Sequence, residues 1–409
     1  MTNIKIVIGG NFGDEGKGLM TAFFAAQMMK RSGRCIVVLS NGGAQRGHTV
    51  VKDGVRHVFR HFGSGTLEGA DTFFPEEFIL NPMIFMKEYH ELRAKTELLN
   101  NTAPHDKPGL PETIRIFVHP DCRITTPFEM ITNLILEESR GADRHGSVGV
   151  GIWETMIGEG KRYGEFASMS PDQRFQYLNE NRKQHMLKRL EQEKLRQLPD
   201  KWVSVMNNEG LIRHYLQDFE DMQSLLTVSD ETILLSCPEI IFENGQGLLL
   251  DGRMFRKGYG HHTTPSFTGI RNPADILRKI HAGDSMDPPA VEAVYVTRSY
   301  MTRHGAGRFD TECPASRIGP ALFDRTNVPN ESQGAIRYGT LNMQSFLRRV
   351  KRDFRELEEL SGIKGSCAVA MTHLNEFQCP GLRSRTVKYT SYTEDGPERV
   401  IPVNGIEFS

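Results

Sequence analysis

The sequence predicts an α/β fold, and three observations carry that expectation. Ile4-Lys5-Ile6-Val7-Ile8 is a short, mostly β-branched apolar run, which reads as a buried strand. Five glycines then fall within residues 9–18, and an apolar, helix-like segment follows from Leu19 to Met29. The pattern recurs, because Cys35-Ile36-Val37-Val38-Leu39-Ser40 and Glu239-Ile240-Ile241-Phe242 are further buried strands that end in glycine-rich turns. In open α/β sheets such turns crowd together at one edge, where ligands bind.

At 409 residues, with 38% hydrophobic and 25% charged residues, the chain can bury a large core and has an ordinary globular balance. A net charge of −1 without a basic tail gives no reason to expect nucleic acid as a partner. Six cysteines (Cys35, Cys122, Cys237, Cys313, Cys367, Cys379) are scattered without C-x-x-C spacing, as reduced structural cysteines would be. No apolar run approaches the ~18 residues of a membrane span, and the N-terminus enters a strand instead of a signal peptide. The expectation is a cytoplasmic protein with no membrane partner.

The first glycine loop contains Gly13-Asp14-Glu15-Gly16-Lys17-Gly18. Glycine lets backbone N–H groups approach an anion, the helix start adds partial positive charge, and Lys17 supplies a mobile cation. Gly13, Gly16 and Gly18, with Glu15 among them, are expected around a phosphate. A plain phosphate cradle has no use for carboxylates, so Asp14 or Glu15 is expected to bind a metal or move a proton. The loop is not a Walker A motif: too few residues separate Gly13 from Lys17, and Gly18 stands where Ser or Thr would hold magnesium.

After the second strand, Asn41-Gly42-Gly43-Ala44-Gln45-Arg46-Gly47-His48-Thr49-Val50 is another glycine loop, in which His48 is a candidate acid or electrophile. A short strand is expected at 78–82, a helix from about Met83 to Leu98, and a buried strand from Ile114 to His119. Residues 140–152 form a third glycine-rich segment. Ser170-Pro171-Asp172-Gln173 is a capping box opening a charged helix to about Leu198, with Leu187, Leu190, Leu195 and Leu198 on one stripe. Ala293–Thr297 and Ala368–Asn375 are the last buried strands, and an amphipathic helix is expected over 340–354.

The string Gly13-Asp14-Glu15-Gly16-Lys17-Gly18 resembles the signature of the adenylosuccinate synthetase family, ligases that join aspartate to a 6-oxopurine nucleotide using a nucleoside triphosphate. The resemblance continues in order. Gly47-His48 falls on the family's G-H-T loop, His61 to Leu67 on its H-x-x-P-S-G-I/L strand and turn, Phe242 to Gly247 on its F-E-G-A-Q-G turn, and Thr302 to Glu312 on T-R-V-G-A-G-P-F-P-T-E. It is weak between about Pro171 and Leu235. The fold it implies is one P-loop-NTPase-like α/β domain over residues 1–409, around a mainly parallel central sheet. A helical insertion is expected at about 170–230, and the protein is expected to work as a homodimer.

The roles implied are these. Asp14 takes the purine N1 proton, His48 stabilises the transferred phosphoryl group, and Lys17 neutralises it; Asp14 and Gly47 hold Mg2+. Gln45, Ser147, Thr264 and an Arg162 reaching across the dimer serve the nucleotide phosphate. Gln246 reads the purine edge as an amide that both donates and accepts. Arg337 offers a fork to the aspartate carboxylate, and His373 and Asn375 meet the triphosphate's base. Departures are present: Gln45 replaces Asn, Arg46 replaces Ala, Val148 a Thr, His304 a Val, Arg308 a Pro, Ala335 an Arg, and Asn375 an Asp. Asn375 offers guanine one acceptor where Asp offers two, which favours ATP over GTP. The changes at Ala335 and Asn375 resemble the viral 2-aminoadenylosuccinate synthetase-like branch, which uses dGMP and ATP, although that branch's well-known members carry Ser at the position of Asp14. IMP, dIMP and dGMP stay open as substrates. Two other readings stand beside the ligase: a phosphate-loop nucleotide-binding regulator without ligase chemistry, and a small-molecule kinase.

Overall fold

The computed structural model describes residues 2–102, 115–195, 197–257, 262–281, 289–319, 334–373, 392–393 and 396–397. Its centre is an eight-stranded sheet. In chain order the strands are β1 (Asn3–Gly9), β2 (Ile36–Val38), β3 (Asp71–Phe74), β4 (Ile116–Val118), β5 (Leu226–Val228), β6 (Glu239–Glu243), β7 (Ala290–Arg298) and β8 (Ser366–Thr372). They lie side by side as β5-β4-β3-β2-β6-β1-β7-β8, and every pairing is parallel. The late strand β6 thus sits between the two earliest. Ile6 of β1 faces Phe242 of β6 on one side and Ala293 of β7 on the other.

Alternation along each strand feeds two apolar layers. Ile4, Ile6, Ile8, Ile36, Val38, Ile240 and Phe242 join the layer under the helices Arg271–His281 and Met343–Ser361. Val7, Val37, Ile241, Val294 and Val296 join the opposite layer, under Lys17–Ser32, Pro82–Thr102 and Pro127–Arg140. Burial on both faces explains why the strands read as unbroken apolar runs instead of alternating ones.

Local differences from the sequence expectations have physical causes. The helix expected over 172–198 opens on the anticipated capping box, with Ser170 Oγ accepting from Gln173 N at 3.3 Å. It then passes through a wide turn at Arg182–Met186 and ends at Gln192. Leu190 is buried while Leu187 is 45% exposed, and the helix stops before Leu195 and Leu198, so the expected stripe does not form on one helix. The helices of 171–225 pack Leu178, Leu190, Tyr215, Phe219 and Met222 into the same apolar cluster as Val37 and Leu92. The chain then supplies β5, an edge strand that the sequence did not announce. No strand forms at 61–67. Gly63 and Gly65 press on the helix layer, where a Cβ would lie 2.5 Å from Val37 Cβ and 2.6 Å from Ala25 Cβ. No helix among the described residues is long and apolar enough to cross a membrane.

Candidate active site

The carboxyl ends of β1, β2, β6, β7 and β8 deliver the glycine loops to one edge of the sheet, around the strand inserted out of chain order. The first loop is shaped from within. Glu15, only 2% exposed, accepts from Asn11 N (3.0 Å), Gly13 N (2.8 Å) and Lys17 Nζ (2.8 Å). Expected beside a phosphate, the Glu15 carboxylate is instead an internal strut, and any service to an anion falls to its backbone N–H. Gly13 and Gly16 have φ of +104° and +100°, and Asp14 between them has φ +60°, a left-handed conformation unusual for a side-chain-bearing residue.

The Asp14 carboxylate lies 3.1 Å from His304 Nε2, and its carbonyl accepts from Arg298 Nε at 2.5 Å. Burial works against ionisation of Asp14. The His304 hydrogen bond and the positive charge of His304, Arg298 and Lys17 outweigh it and hold the carboxyl below its usual range.

His48 packs directly on the helix start, because a Cβ at Gly18 would lie 2.9 Å from His48 Cβ. Its Nδ1 is 2.5 Å from Glu243 Oε1. Glu243 is fully buried and also accepts from Ser64 N (3.0 Å) and Ser64 Oγ (2.5 Å), with Arg46 Nη2 at 3.3 Å. Burial is the largest influence on both groups. It pushes His48 down to about 4, aided by Arg46 and opposed by Glu243. For Glu243 the same burial is overcome by Arg46 and His48, which hold the carboxyl at about 2. The neutral imidazole then carries its proton on Nδ1, toward Glu243, and presents Nε2 as an acceptor. Sequence reasoning missed Glu243 as a partner of His48, although a glutamate closing the apolar run Ile240-Ile241-Phe242 was a visible signal.

Gln45 and Gln246 converge on Gly42. A Cβ there would lie 2.8 Å from Gln45 Nε2 and 3.5 Å from Gln246 Oε1. Both polar atoms of the Gln45 amide, Gln246 Oε1, and Arg46 Nε and Nη1 are buried without a hydrogen-bond partner among the described residues. Gln246 has φ +55°, a second strained side-chain-bearing position. Thr264 joins this group, with its hydroxyl 3.2 Å from Ser266 Oγ. Ser266 in turn meets Asn41 Nδ2 (3.3 Å), and Asn41 binds Gly245 N (2.7 Å).

Other expected residues are engaged or more distant. The Ser147 hydroxyl donates to Asn133 Oδ1 at 2.9 Å. Arg162 bridges Arg123 and donates to Asp121 O at 2.9 Å. The pairings Gly42–Gly43 to Phe78–Leu80 to Arg123–Ile124 to Arg162 put it three strand spacings, about 14 Å, from the Gly42 loop. Arg337 grips Glu312 with Nε (2.8 Å) and Nη2, and gives Nη1 to the carbonyls of Gly305 (3.1 Å) and Gly307 (2.9 Å). His373, at φ +60°, meets Thr372 Oγ1 at 2.8 Å and the Tyr300 ring at 5.8 Å. Asn375 lies outside the described residues.

No cluster of three or more His, Cys, Asp or Glu side chains suited to a metal occurs among the described residues. Magnesium commonly uses one or two protein oxygens together with substrate phosphates. The part-exposed carboxylate of Asp14 and the carbonyl of the exposed Gly47 fit that mode.

A strained carboxylate, a buried imidazole–glutamate pair and unpartnered amides, all around a lysine-bearing glycine loop, suit proton removal and phosphoryl transfer on a nucleotide. The comparisons agree with that reading. The chain is 29% identical over 336 residues to an adenylosuccinate synthetase of Microcystis aeruginosa, an alignment covering 80% of this chain and 65% of the relative. It is 27% identical over 334 residues to that of Crocosphaera subtropica, covering 80% and 66%. The chain thus spans just under two thirds of the length of these curated relatives. In fold it is similar to the fully ligated adenylosuccinate synthetase of Plasmodium falciparum, with TM-score 0.61, 16% identity, and coverage of 91% of this chain and 77% of that one. It is also similar to the succinoaminodeoxyadenylate synthetase of cyanophage S-2L bound to dGMP and dATP, with TM-score 0.54, 15% identity, and coverage of 92% and 86%. The family model for adenylosuccinate synthetase matches residues 6–345, a span holding every loop described above except the one after β8, and the chain belongs to that family.

Proposed function

We propose that the protein is an ATP- or GTP-dependent ligase that joins L-aspartate to C6 of a 6-oxopurine mononucleotide, giving an N6-succinyl purine nucleotide. One observation carries the reading: Asp14, Lys17 and His48 share a single loop junction, beside the unpartnered amides of Gln45 and Gln246. Asp14 takes the proton from purine N1. The triphosphate's terminal phosphoryl then passes to O6, turning a poor leaving group into a good one, while Lys17 and loop N–H groups neutralise the charge. His48 contacts the same oxygens. Its neutral resting form presents an acceptor, so donation requires a second proton on Nε2, which an approaching phosphate dianion favours. Aspartate, bound through Arg337, displaces phosphate from C6.

Mg2+ would be held by Asp14, the Gly47 carbonyl and substrate phosphates, and when bound supplies positive charge to the triphosphate. Gln246 reads the purine, while Gln45, Ser147, Thr264 and Arg162 serve the 5′-phosphate; His373 and Asn375 meet the triphosphate's base, with ATP favoured over GTP. IMP, dIMP and dGMP are the substrates to compare; the cyanophage neighbour, bound to dGMP and dATP, supports including the last. The working form we propose is a cytoplasmic homodimer of one α/β domain, with about 170–230 as its helical insertion.

The decisive experiment is aspartate-dependent phosphate release across IMP, dIMP and dGMP, each with ATP and GTP. Turnover in at least one cell of that grid, lost in Asp14→Asn with nucleotide binding kept, is the expected result. Hydrolysis without aspartate, or none at all, would favour the second reading, a nucleotide-binding regulator. On its side stands the engagement of Arg337 by Glu312.

A further inference from the structure

We infer that Arg298 and His304 are positioning residues that grip Asp14 from both ends, its backbone and its carboxylate, and so fix which oxygen acts as base. The inference rests on the proposed role of Asp14 as the proton acceptor. The argument begins with backbone strain. A side-chain-bearing residue at φ +60° persists only where its surroundings over-determine it. Here the end of β7 and the turn after it hold Asp14 itself, beside Thr372 of β8, whose hydroxyl donates to Glu15 O at 2.8 Å, and Leu249, whose N–H donates to Asn11 O at 2.8 Å.

The end of β7 and its turn are stitched to the phosphate loop step by step. Gly10 N donates to Val296 O at 2.9 Å, and Asn11 Nδ2 donates to Thr297 Oγ1 at 2.8 Å. Arg298 Nε donates to the Asp14 carbonyl at 2.5 Å, and His304 Nε2 donates to Asp14 Oδ2 at 3.1 Å. Arg298 is itself held, being 4% exposed, with Nη1 on Tyr300 OH at 3.1 Å and its guanidinium 5.6 Å from the Tyr300 ring. Tyr300 is 1% exposed. The arginine is therefore rigid, and its hydrogen bond sets the peptide plane that follows Asp14.

With the peptide fixed and His304 on one of the two acceptor sites of Oδ2, Oδ1 is the oxygen free to meet the purine N1–H, and the second site of Oδ2 would remain for Mg2+. A base must come within hydrogen-bond reach of its proton, and small misplacements of reacting groups are costly. His304 also explains how a residue with the reach of aspartate, in a strained turn, is kept to one rotamer.

The test uses the full chain and the most active substrate pair of the grid, measuring kcat, each KM and thermal stability for Arg298→Met, Arg298→Lys, His304→Val and His304→Gln. Expected is a kcat lower by about a hundredfold for Arg298→Met, with the KM of both nucleotides within about threefold. Arg298→Lys, which keeps one donor, recovers about tenfold of that loss. His304→Val loses about tenfold, and His304→Gln, which keeps an N–H, loses less. In an Asp14→Asn background His304→Val should change thermal stability less than it does in the unsubstituted chain, because the two residues are coupled. If Arg298→Met fails to fold, the Lys variant and the His304 pair carry the test. Unchanged kcat in His304→Val and Arg298→Lys, with Asp14→Asn inactive, overturns the positioning role and leaves the ligase reading intact. An active Asp14→Asn overturns both.

Discussion

Two halves of the site are built on opposite plans. Around Gly42, the side chains of Gln45, Arg46 and Gln246 keep buried polar atoms with no hydrogen-bond partner among the described residues. Across the site, the arginines in and against the 303–312 turn are saturated by the protein itself. Arg337 is forked onto Glu312 and two loop carbonyls, and Arg303 holds the carbonyls of Ala306, Arg308 and His262. A buried polar group without a partner costs roughly 1–3 kcal/mol, so the first half is preorganised for something polar. The second half is stable as it stands, and a carboxylate ligand there has to displace Glu312. On the proposed function, nucleotide recognition would be built in, whereas aspartate recognition would exchange one carboxylate for another.

The largest expected effect breaks the preorganised half. Glu243→Ala strands Arg46 and His48 in a buried site; loss of one member of such a set costs roughly 3–5 kcal/mol, and kcat should fall by at least a hundredfold. Urea unfolding and steady-state kinetics read both. The same network has an acid limb. The Glu243 carboxyl is held at about 2 in the fold, below an unfolded value near 4.3. Its stabilisation is therefore complete above that value and lost as pH falls toward 2. His48, pushed down to about 4 from 6.5 by burial and flanked by Glu243, Arg46 and Lys17, adds a second slope. The unfolded chain binds that proton first, so stability declines from about pH 6.5 to 4 by at most about 1.4 kcal/mol per unit. His48→Phe should lessen this limb without abolishing it, because buried His61, pushed down to about 3, titrates over the same range; an unchanged slope would mean that His48 does not titrate there.

The next effect probes the saturated half. Arg337→Ala should raise the KM for aspartate about tenfold or more, by loss of a charged, bidentate contact. Glu312→Gln should lower it about threefold, because the internal carboxylate no longer competes. A raised KM in Glu312→Gln would instead make Glu312 part of the binding loop and erase the contrast between the halves.

A smaller effect sharpens the contrast from the other side. Gln45→Ala removes two amide atoms, and Gln246→Ala an Oε1, that have no hydrogen-bond partner among the described residues. Stability should hold or rise, by up to roughly 1–3 kcal/mol as the unpartnered atoms are removed, while mononucleotide affinity weakens about tenfold, the value of one well-made hydrogen bond. Calorimetric titration beside thermal unfolding separates the two.

What the sequence made legible follows the same division. Strand, glycine loop and helix at the first motif were readable, because glycine spacing and β-branched runs are local signals. Both-face burial explains why β1, β2, β6, β7 and β8 were visible, while β5, with Thr227 and Val228 exposed, was not. Asp14, Lys17 and His48 stood in glycine loops and could be named. Their partners could not, since Glu243 and Arg298 act from strands more than 190 residues away in sequence. The inward turn of Glu15 and the closure of Arg337 on Glu312 depend on side-chain geometry that no spacing encodes.

The smallest change in any single chain's properties is expected at Arg162, which belongs to neither half. It sits about 14 Å from the Gly42 loop and among the described residues its guanidinium donates to Asp121 O at 2.9 Å, so Arg162→Ala should alter stability by under about 0.5 kcal/mol. Its proposed work is in a partner's site, and mixing tests that directly. If one chain's Arg162 completes another's site, Arg162→Ala and Asp14→Asn chains exchanged at equal amounts form mixed dimers with one intact site each. Half the dimers are mixed, so activity should return to about a quarter of the wild-type rate. Recovery absent from an exchanged mixture would return Arg162 to the surface charge that its position alone suggests, and would leave the preorganised half to bind phosphate with Gln45, Arg46 and Thr264.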